Sequence, residues 1–234
     1  MIKHFILIFL SGAGLLACSS VQKVSVHSEP IPVIAENFDK PNFIDSLILP
    51  YSDSLDAEMN VVIATLDQSM EKNRPNGLLN NWSADALLNA FALDVTDAPL
   101  MSLLNVGGLR NTLNEGDITI GDIFKVMPFD NEVVLVKMPL SSLGLIGDYL
   151  KKSGGEPISG AEYSKGELKL VNEATTDFYY ILTSDYLLNG GDKMDFFQEK
   201  IEFKYVGYLL RDVFIQQAKL QKNLIIKNDN RIQF

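Results

Sequence analysis

The chain contains 234 residues, a length that fits one full domain preceded by a short leading segment. Hydrophobic residues make up 47% of it and charged residues 21%, a composition typical of a globular protein and not of a disordered one. Its net charge of -10, without a long run of Lys or Arg, disfavours nucleic-acid binding. A small anionic ligand is still compatible with this charge, because one or two Arg side chains and backbone N–H groups can hold a phosphate within an acidic protein.

The N-terminal residues predict export. An apolar run over residues 5–16 follows Lys3 and His4, and it is too short to span a bilayer stably, so it fits a secretory signal. The run ends in Leu-Leu-Ala-Cys18, which resembles a bacterial lipobox, where cleavage precedes the cysteine and its thiol carries the lipid. An ordinary signal peptide with an incidental Cys is the alternative. We expect a protein anchored by lipid to a bacterial membrane, in the periplasm or at the cell surface.

Three parts are predicted along the chain. Cys18 is the only cysteine, so no disulfide can form within the chain. The segment after it contains three prolines and no sustained periodicity, which indicates a tether. The predicted organisation is a signal peptide at residues 1–17, a tether at 18–42 and one folded domain at 43–234.

The first half of the folded domain has a helical pattern. Between Ser54 and Met70 the apolar residues follow helical spacing, which predicts an amphipathic helix. A polar stretch at 71–80 predicts a loop. Ser83 is then expected to cap a second helix over residues 84–93.

The second half mixes strands and helices. Leu100–Leu104 predicts a buried strand that ends in a glycine turn, and Thr119 can cap a short helix that ends before Pro128. Further strands are predicted at 133–138, 178–183 and 202–205, and further helices at 141–152 and 208–218. No repeat and no regular βαβ alternation is present, which favours an α+β fold, with a mixed sheet and flanking helices.

Histidine usage restricts the chemistry. His4 and His27 are the only histidines, and both precede the predicted domain. A Ser-His-Asp arrangement and a histidine-bearing metal site are therefore excluded from that domain. An all-carboxylate magnesium site is formally open, although no Asp-x-Asp or Glu-x-x-Glu pair stands beside a glycine turn in a way that singles it out. We predict no catalytic residue and no metal ligand in this chain.

Three segments punctuated by glycine or proline could bind a ligand. In the first, Asn105 and Arg110 flank a Gly-Gly turn, where backbone N–H groups can approach an anion and Arg110 can clamp a phosphate. In the second, Phe129 follows a proline and Asn131 supplies a carboxamide. The third places Tyr186 before an Asn-Gly-Gly-Asp192 turn. Two aromatic rings can stack on a planar base, and a carboxylate can accept hydrogen bonds from ribose hydroxyls. Taken singly, each segment is more simply a turn.

The order and spacing of these motifs resemble a known family. Asn-x-Gly-Gly-Leu-Arg110, Pro-Phe129-x-Asn-x-Val-Val and Asn-Gly-Gly-Asp192 follow one another as in the C-terminal domain of 5′-nucleotidases and related cyclic-nucleotide phosphodiesterases. The resemblance covers roughly residues 43–234 and includes Asn81-Trp82-Ser83-Ala84-Asp85-Ala86-Leu87. Three motifs in the same order and spacing are not expected by chance.

The resemblance implies a nucleotide-binding role for six residues. In the family, two aromatics stack on the base, an Asp holds the ribose, and Asn and Arg side chains contact base and phosphates. The matching positions here are Asn105, Arg110, Phe129, Asn131, Tyr186 and Asp192. Tyr186 stands where the family usually has Phe, and Asn80 replaces a family glycine. Arg74 is close to a further phosphate-binding Arg of the family but out of register.

The same resemblance implies a division of labour. The family's metallophosphatase domain, with its histidine-containing metal ligands, has no counterpart among these residues. We expect this chain to be the nucleotide-binding half of a 5′-nucleotidase-type phosphohydrolase of nucleotide catabolism, without a cofactor of its own. A separate metallophosphatase chain would carry divalent metals of the Mn or Zn type. Two alternatives stay open: a lipid-anchored nucleotide or nucleoside binder without catalysis, and a lipoprotein that kept the fold and lost the ligand.

Overall fold

The computed structural model describes residues 43–95, 97–172 and 175–234. The predicted signal peptide, tether and lipidated Cys18 lie outside the described residues. The chain divides into two units, residues 1–47 and 48–234, and the second contains the sheets and cores described below. Within the described ranges, none of the helices is long and apolar enough to cross a bilayer.

Six helices and nine strands are described. The helices are α1 (Phe43–Met59), α2 (Leu78–Phe91), α3 (Ile120–Val126), α4 (Leu143–Ser153), α5 (Asp185–Leu188) and α6 (Leu210–Gln221). The strands are β1 (Val62–Leu66), β2 (Leu100–Leu103), β3 (Gly116–Thr119), β4 (Glu132–Pro139), β5 (Ile158–Ser159), β6 (Ala161–Ser164), β7 (Glu167–Leu170), β8 (Phe178–Ser184) and β9 (Glu202–Leu209). Short 3-10 turns occupy Val106–Gly108, Leu140–Ser142, Gly191–Lys193 and Asp195–Glu199.

The main sheet has five strands in the order β5-β2-β8-β4-β9. Strands β2 and β8 run parallel, whereas β5, β4 and β9 each pair antiparallel to their neighbours. Two antiparallel pairs, β1 with β3 and β6 with β7, lie outside it. The predicted α+β class, a mixed sheet with flanking helices, is confirmed.

The sheet is covered on both faces. Along β4 the apolar residues alternate, so that Val133 and Leu135 enter one core while Val134 and Val136 enter the other, as the period of two in a strand requires. The first core is completed by α2, α3 and α6, and the second by α4 and the β6-β7 hairpin. Burial on both faces explains the continuous apolar run in this strand.

Two predicted helix ends are present for the expected reasons. Thr119 and Asp122 form a capping box at α3: the Thr119 hydroxyl accepts from the Asp122 N–H, and the Asp122 carboxylate accepts from the Thr119 N–H. Helix α4 ends at Gly154, whose φ of 83° is the left-handed conformation that glycine adopts without a steric penalty.

The predicted helix from Ser54 to Met70 is wrong over most of its length. Helix α1 ends at Met59, and the chain continues as β1, which pairs with β3. Residues 61–65 are rich in β-branched side chains, which favour a strand, and the pairing with β3 overrides their helix-like apolar spacing.

The second predicted helix begins too late. Helix α2 starts at Leu78 after Gly77, inside the stretch predicted to be a loop. Ser83 is buried within the helix, and its hydroxyl donates to the Asn80 carbonyl, so it does not cap the helix. A Ser that bonds back to a carbonyl of the preceding turn satisfies its own polar group inside a helix.

A buried ion pair fixes the C-terminal segment to α2. Arg231 donates from two guanidinium nitrogens to the two carboxylate oxygens of Asp85, at 2.8 and 3.0 Å. Ser159 and Lys227 also donate to this carboxylate. Burial alone raises the pKa of Asp85, but the hydrogen bonds from Arg231, Ser159 and Lys227 bring it below its ordinary value of 3.8.

We predict that Asp85→Asn lowers the free energy of unfolding by about 3 kcal/mol at neutral pH, since it leaves the buried Arg231 with only the half-exposed Asp229 as a counter-charge. The lowered pKa means that the carboxylate stabilises the fold above about pH 3.8, and that this contribution is lost as pH falls through the folded-state value. Urea unfolding of both proteins across this range measures the effect.

Glu167→Gln is the matched control, because it breaks the exposed pair of Glu167 with Lys169 and should change stability by less than about 1 kcal/mol. Equal losses in the two variants would contradict a structural role for the buried pair.

Candidate functional site

The six residues predicted to bind a ligand surround one cavity of about 330 Å³. Its lining consists of Asn105, Gly107, Gly108, Arg110, Phe129, Asn131, Tyr186 and Asp192. The structure therefore brings together side chains from three separate segments of the sequence.

Strand directions explain this convergence. Strands β2 and β8 are parallel, so the segments after them, which carry Asn105 and Tyr186, leave the sheet at the same edge. Strand β4 is antiparallel to β8, with Val133 opposite Ser184, so the segment before β4 arrives at that edge too. Phe129 and Asn131 lie in this segment.

Asp192 is the most constrained group in the cavity. One carboxylate oxygen accepts from the Asn105 amide at 2.6 Å, and the other accepts from the Tyr186 hydroxyl at 2.9 Å. Tyr149 donates to the Asp192 backbone carbonyl at 3.0 Å. The backbone of Asp192 has φ 51° and ψ 21°, a left-handed conformation that Asp tolerates better than most residues. The carboxylate is thus held in a fixed orientation.

The phenols around Asp192 are harder to ionise than ordinary tyrosines. The hydrogen bond that Tyr186 donates to the Asp192 carboxylate raises the pKa of Tyr186 above 10.0. Burial raises the pKa of Tyr149 to about 12, and the negative charges of Glu156 and Asp192 add to this effect. Both hydroxyls consequently act as hydrogen-bond donors at neutral pH.

Two glycines are required by close contacts in the cavity wall. A Cβ on Gly108 would lie 2.7 Å from the Asn105 amide oxygen, and a Cβ on Gly191 would lie 2.5 Å from the Tyr186 ring. Any side chain at either position would displace Asn105 or Tyr186 from Asp192.

Phe129, Tyr186 and Arg110 form the open side of the cavity. The rings of Phe129 and Tyr186 are each a little under half exposed. The Arg110 guanidinium lies 5.9 Å from the centre of the Phe129 ring and donates to the Gly107 carbonyl at 3.3 Å. The cavity thus offers two aromatic faces and one exposed cation to a ligand.

Glu156 supports the glycine turn from behind and was missed by the sequence analysis. Its buried carboxylate accepts from the Val106 N–H at 2.7 Å, at the start of the 3-10 turn. Arg74 donates to the other oxygen at 2.5 Å and to the Gly155 carbonyl at 2.9 Å. Burial raises the pKa of Glu156, although these hydrogen bonds act in the opposite direction. Arg74, the candidate phosphate ligand out of register, lies outside the cavity lining.

Arg211 and Asp185 position the Phe129 segment. Arg211 donates to the Asp130 carboxylate at 2.6 Å and to the Phe129 carbonyl at 3.4 Å. The Asp185 carboxylate accepts from the backbone N–H groups of Glu132 and Tyr186, at 3.1 and 2.8 Å. Asp185 therefore ties the start of β4 to the turn that carries the second aromatic ring.

The described residues contain no group of three or more His, Cys, Asp or Glu side chains arranged to hold a metal ion. The polar groups of the cavity are instead an amide pair, one carboxylate, one phenol and one guanidinium. The protein is thus an α+β domain with one cavity that combines aromatic faces, hydrogen-bonding groups and a cation.

Comparison with known proteins matches part of the chain to one family. Residues 60–139 match the family described as "5′-nucleotidase, C-terminal domain". The chain is 25% identical to the trifunctional nucleotide phosphoesterase protein YfkN of Bacillus subtilis over 88% of this chain and 15% of that protein. It is 24% identical to protein UshA of Escherichia coli over 82% of this chain and 36% of that protein.

Solved structures show the same fold. A 5′-nucleotidase precursor from Thermus thermophilus superposes with a TM-score of 0.66 at 20% identity, over 82% of this chain and 43% of that one. The NAD nucleotidase of Haemophilus influenzae superposes with a TM-score of 0.62 at 18% identity, over 81% and 40% of the two chains.

The resemblance to the 5′-nucleotidase C-terminal domain family that the sequence motifs predicted is confirmed by the match of residues 60–139 and by these relatives. The chain covers only 15% of the length of YfkN and 36% of the length of UshA.

We predict that Asp192→Asn lowers the pKa of Tyr186, because the substitution removes the negative charge that opposes formation of the phenolate. Spectrophotometric titration of the tyrosines, with Tyr186→Phe subtracted to isolate this residue, measures the change. Asp195→Asn, a neighbouring carboxylate outside the cavity lining, is the control. An unchanged Tyr186 pKa in Asp192→Asn would contradict the observed hydrogen bond.

Proposed function

We propose that this chain is the nucleotide-binding half of a 5′-nucleotidase-type phosphohydrolase of nucleotide catabolism. The observation that carries the proposal is the fixed Asp192 carboxylate, which lines one cavity together with the rings of Phe129 and Tyr186 and with Arg110. A nucleotide has three parts with matching chemistry: a planar base, a diol and an anion.

The base would stack against Phe129 and Tyr186. Both rings line the cavity and are partly exposed. A flat ligand could therefore cover their exposed surface without rearrangement of the protein, and the contact would bury apolar area. Asn131 lines the same space and supplies amide groups able to pair with the polar edge of a base. Stacking of this kind contributes about 1–3 kcal/mol for each base.

The ribose would bind to Asp192. Each carboxylate oxygen already accepts one hydrogen bond, from Asn105 or Tyr186, and each has a second lone pair that can accept from a ribose hydroxyl. Since the carboxylate is already oriented, binding does not have to freeze it.

The phosphate would bind near Arg110. Arg110 is exposed, and its guanidinium donates a long hydrogen bond of 3.3 Å to the Gly107 carbonyl. Planar N–H groups that are not saturated by protein acceptors can bind phosphate oxygens. Arg74 is engaged with Glu156 and Gly155, so we assign it a supporting role and not a place on the ligand.

Hydrolysis would need groups from another chain. In the proposed arrangement a separate metallophosphatase chain, with divalent metals of the Mn or Zn type, supplies the attacking hydroxide, and this chain positions the substrate. The lipobox-like sequence at Cys18 supports attachment of the complex to a bacterial membrane, in the periplasm or at the cell surface. The alternative is a lipid-anchored binder of nucleotides or nucleosides without catalysis, which uses the same cavity.

Calorimetric titration of the protein with AMP and with adenosine tests the proposal, alongside phosphate release in added Mn²⁺ or Zn²⁺. We expect both ligands to bind without phosphate release. Arg110→Gln should weaken AMP by about 1.5–3 kcal/mol and leave adenosine unchanged, because only AMP carries the phosphate. The absence of binding by either ligand would overturn the proposal, and phosphate release by this chain alone would overturn the division of labour.

Phe129→Ala should weaken AMP and adenosine alike, by about 1–3 kcal/mol, because both ligands lose the same stacking surface. Phe178→Ala is the matched control, since that ring contacts Lys137 and Tyr180 and does not line the cavity. Circular dichroism checks that both variants fold. Undiminished affinity in folded Phe129→Ala would remove the stacking step from the proposal.

A further inference from the structure

Strand β9 is an edge strand with an exposed apolar strip. It pairs with β4 on one side, and within the described ranges no strand pairs with its other side. Ile201, Phe203 and Tyr205 are 56%, 44% and 52% exposed. The rings of Phe203 and Tyr205 lie 6.0 Å apart, as expected for side chains two residues apart on one face. Proteins usually protect such an edge from pairing with another chain.

The side chains on this edge are complementary to the same side chains on a second copy of the chain. In an antiparallel pair of two β9 strands centred on Phe203, the two copies of Phe203 lie opposite each other. Glu202 of one copy then lies opposite Lys204 of the other, and Ile201 lies opposite Tyr205. Directly opposed charges of opposite sign and apolar-aromatic pairs both stabilise antiparallel strands. A shift of one residue would place the Phe203 ring opposite a charged side chain, so the pattern favours one register.

The pairing strip has a defined end. Gly207 has φ 84°, and the register of β9 against β4 shifts between Glu132 and Val134, which marks a bulge. A bulge twists an edge away from further pairing. Residues 201–205 therefore form the segment of the edge that is open to a partner strand.

We propose that two copies of this chain associate through antiparallel pairing of residues 201–205, centred on Phe203, and so join their sheets into one. The second copy is the occupant because the segment matches itself pair by pair. The contact is small, so the dimer is of the weak class that buries less than about 1,200 Å².

The proposed dimer leaves the ligand cavity open. Phe203 pairs with Val136, whereas the cavity residue Asn131 adjoins Leu210 at the other end of β9. Association and ligand binding are therefore independent, and failure of this inference is distinguishable from failure of the proposed function.

Sedimentation velocity of the full chain carrying Cys18→Ser, over micromolar to sub-millimolar concentrations, tests association. We expect the mass to rise from 26.0 kDa toward twice that value. Glu202→Lys and Lys204→Glu should each weaken the dimer at least severalfold, because each places like charges in opposition, and the double substitution should restore it. Lys137→Gln controls for the ion pair of Lys137 with Glu202 within one chain. A monomer at all concentrations, or a dimer insensitive to both reversals, would overturn the inference.

Disulfide trapping tests the register in the same Cys18→Ser background. Phe203→Cys should cross-link under mild oxidation, because facing residues of antiparallel strands lie within disulfide range. Tyr205→Cys alone should not cross-link, since its counterpart lies roughly 13 Å away along the strand. A mixture of Tyr205→Cys with Ile201→Cys chains should cross-link. Efficient trapping by Tyr205→Cys alone, or none by Phe203→Cys, would contradict the register.

Discussion

The arrangement of the site depends on the pairing of β8 with its two neighbours. Because β2 is parallel to β8 and β4 is antiparallel to it, two chain segments leave the sheet and one enters it at a single edge. Residues more than eighty positions apart, such as Asn105 and Asp192, thereby come within hydrogen-bonding distance. The apolar faces of β4 and β8, buried in both cores, hold this register, since a slip by one residue would reverse which side chains are buried.

A second layer of polar contacts keeps the turns at this edge in place. Glu156 binds the first N–H of the glycine turn, Asp185 joins β4 to the Tyr186 turn, and Arg211 fixes the Phe129 segment. None of these three side chains lines the cavity. They hold the backbone of the glycine turn, of the Phe129 segment and of the start of the Tyr186 turn. The cavity is therefore formed before any ligand arrives.

Sequence alone predicted the fold class, most of the later elements and the six residues that surround the cavity. These features rest on local signals: the capping box at Thr119, the stop at Gly154 and motifs in which glycine or proline marks a turn. The β1 strand was predicted as helix because the residues it pairs with lie fifty or more positions away, beyond any local pattern. The role of Glu156 was not predicted for the same reason, since its partners Arg74 and Val106 lie 82 and 50 residues away along the chain.

The ionisable groups around the cavity fit binding better than proton transfer. A general acid or base works best with a pKa near the operating pH. Tyr149 and Tyr186 have pKa values raised away from neutrality, and both donate to Asp192. Glu156 is a carboxyl whose pKa is raised, but its oxygens face Val106 and Arg74 and not the cavity. In these three side chains, the polar atoms form hydrogen bonds that hold neighbouring groups in position. Such an arrangement presents fixed hydrogen-bond partners to a ligand, which agrees with the proposed role of this chain in binding.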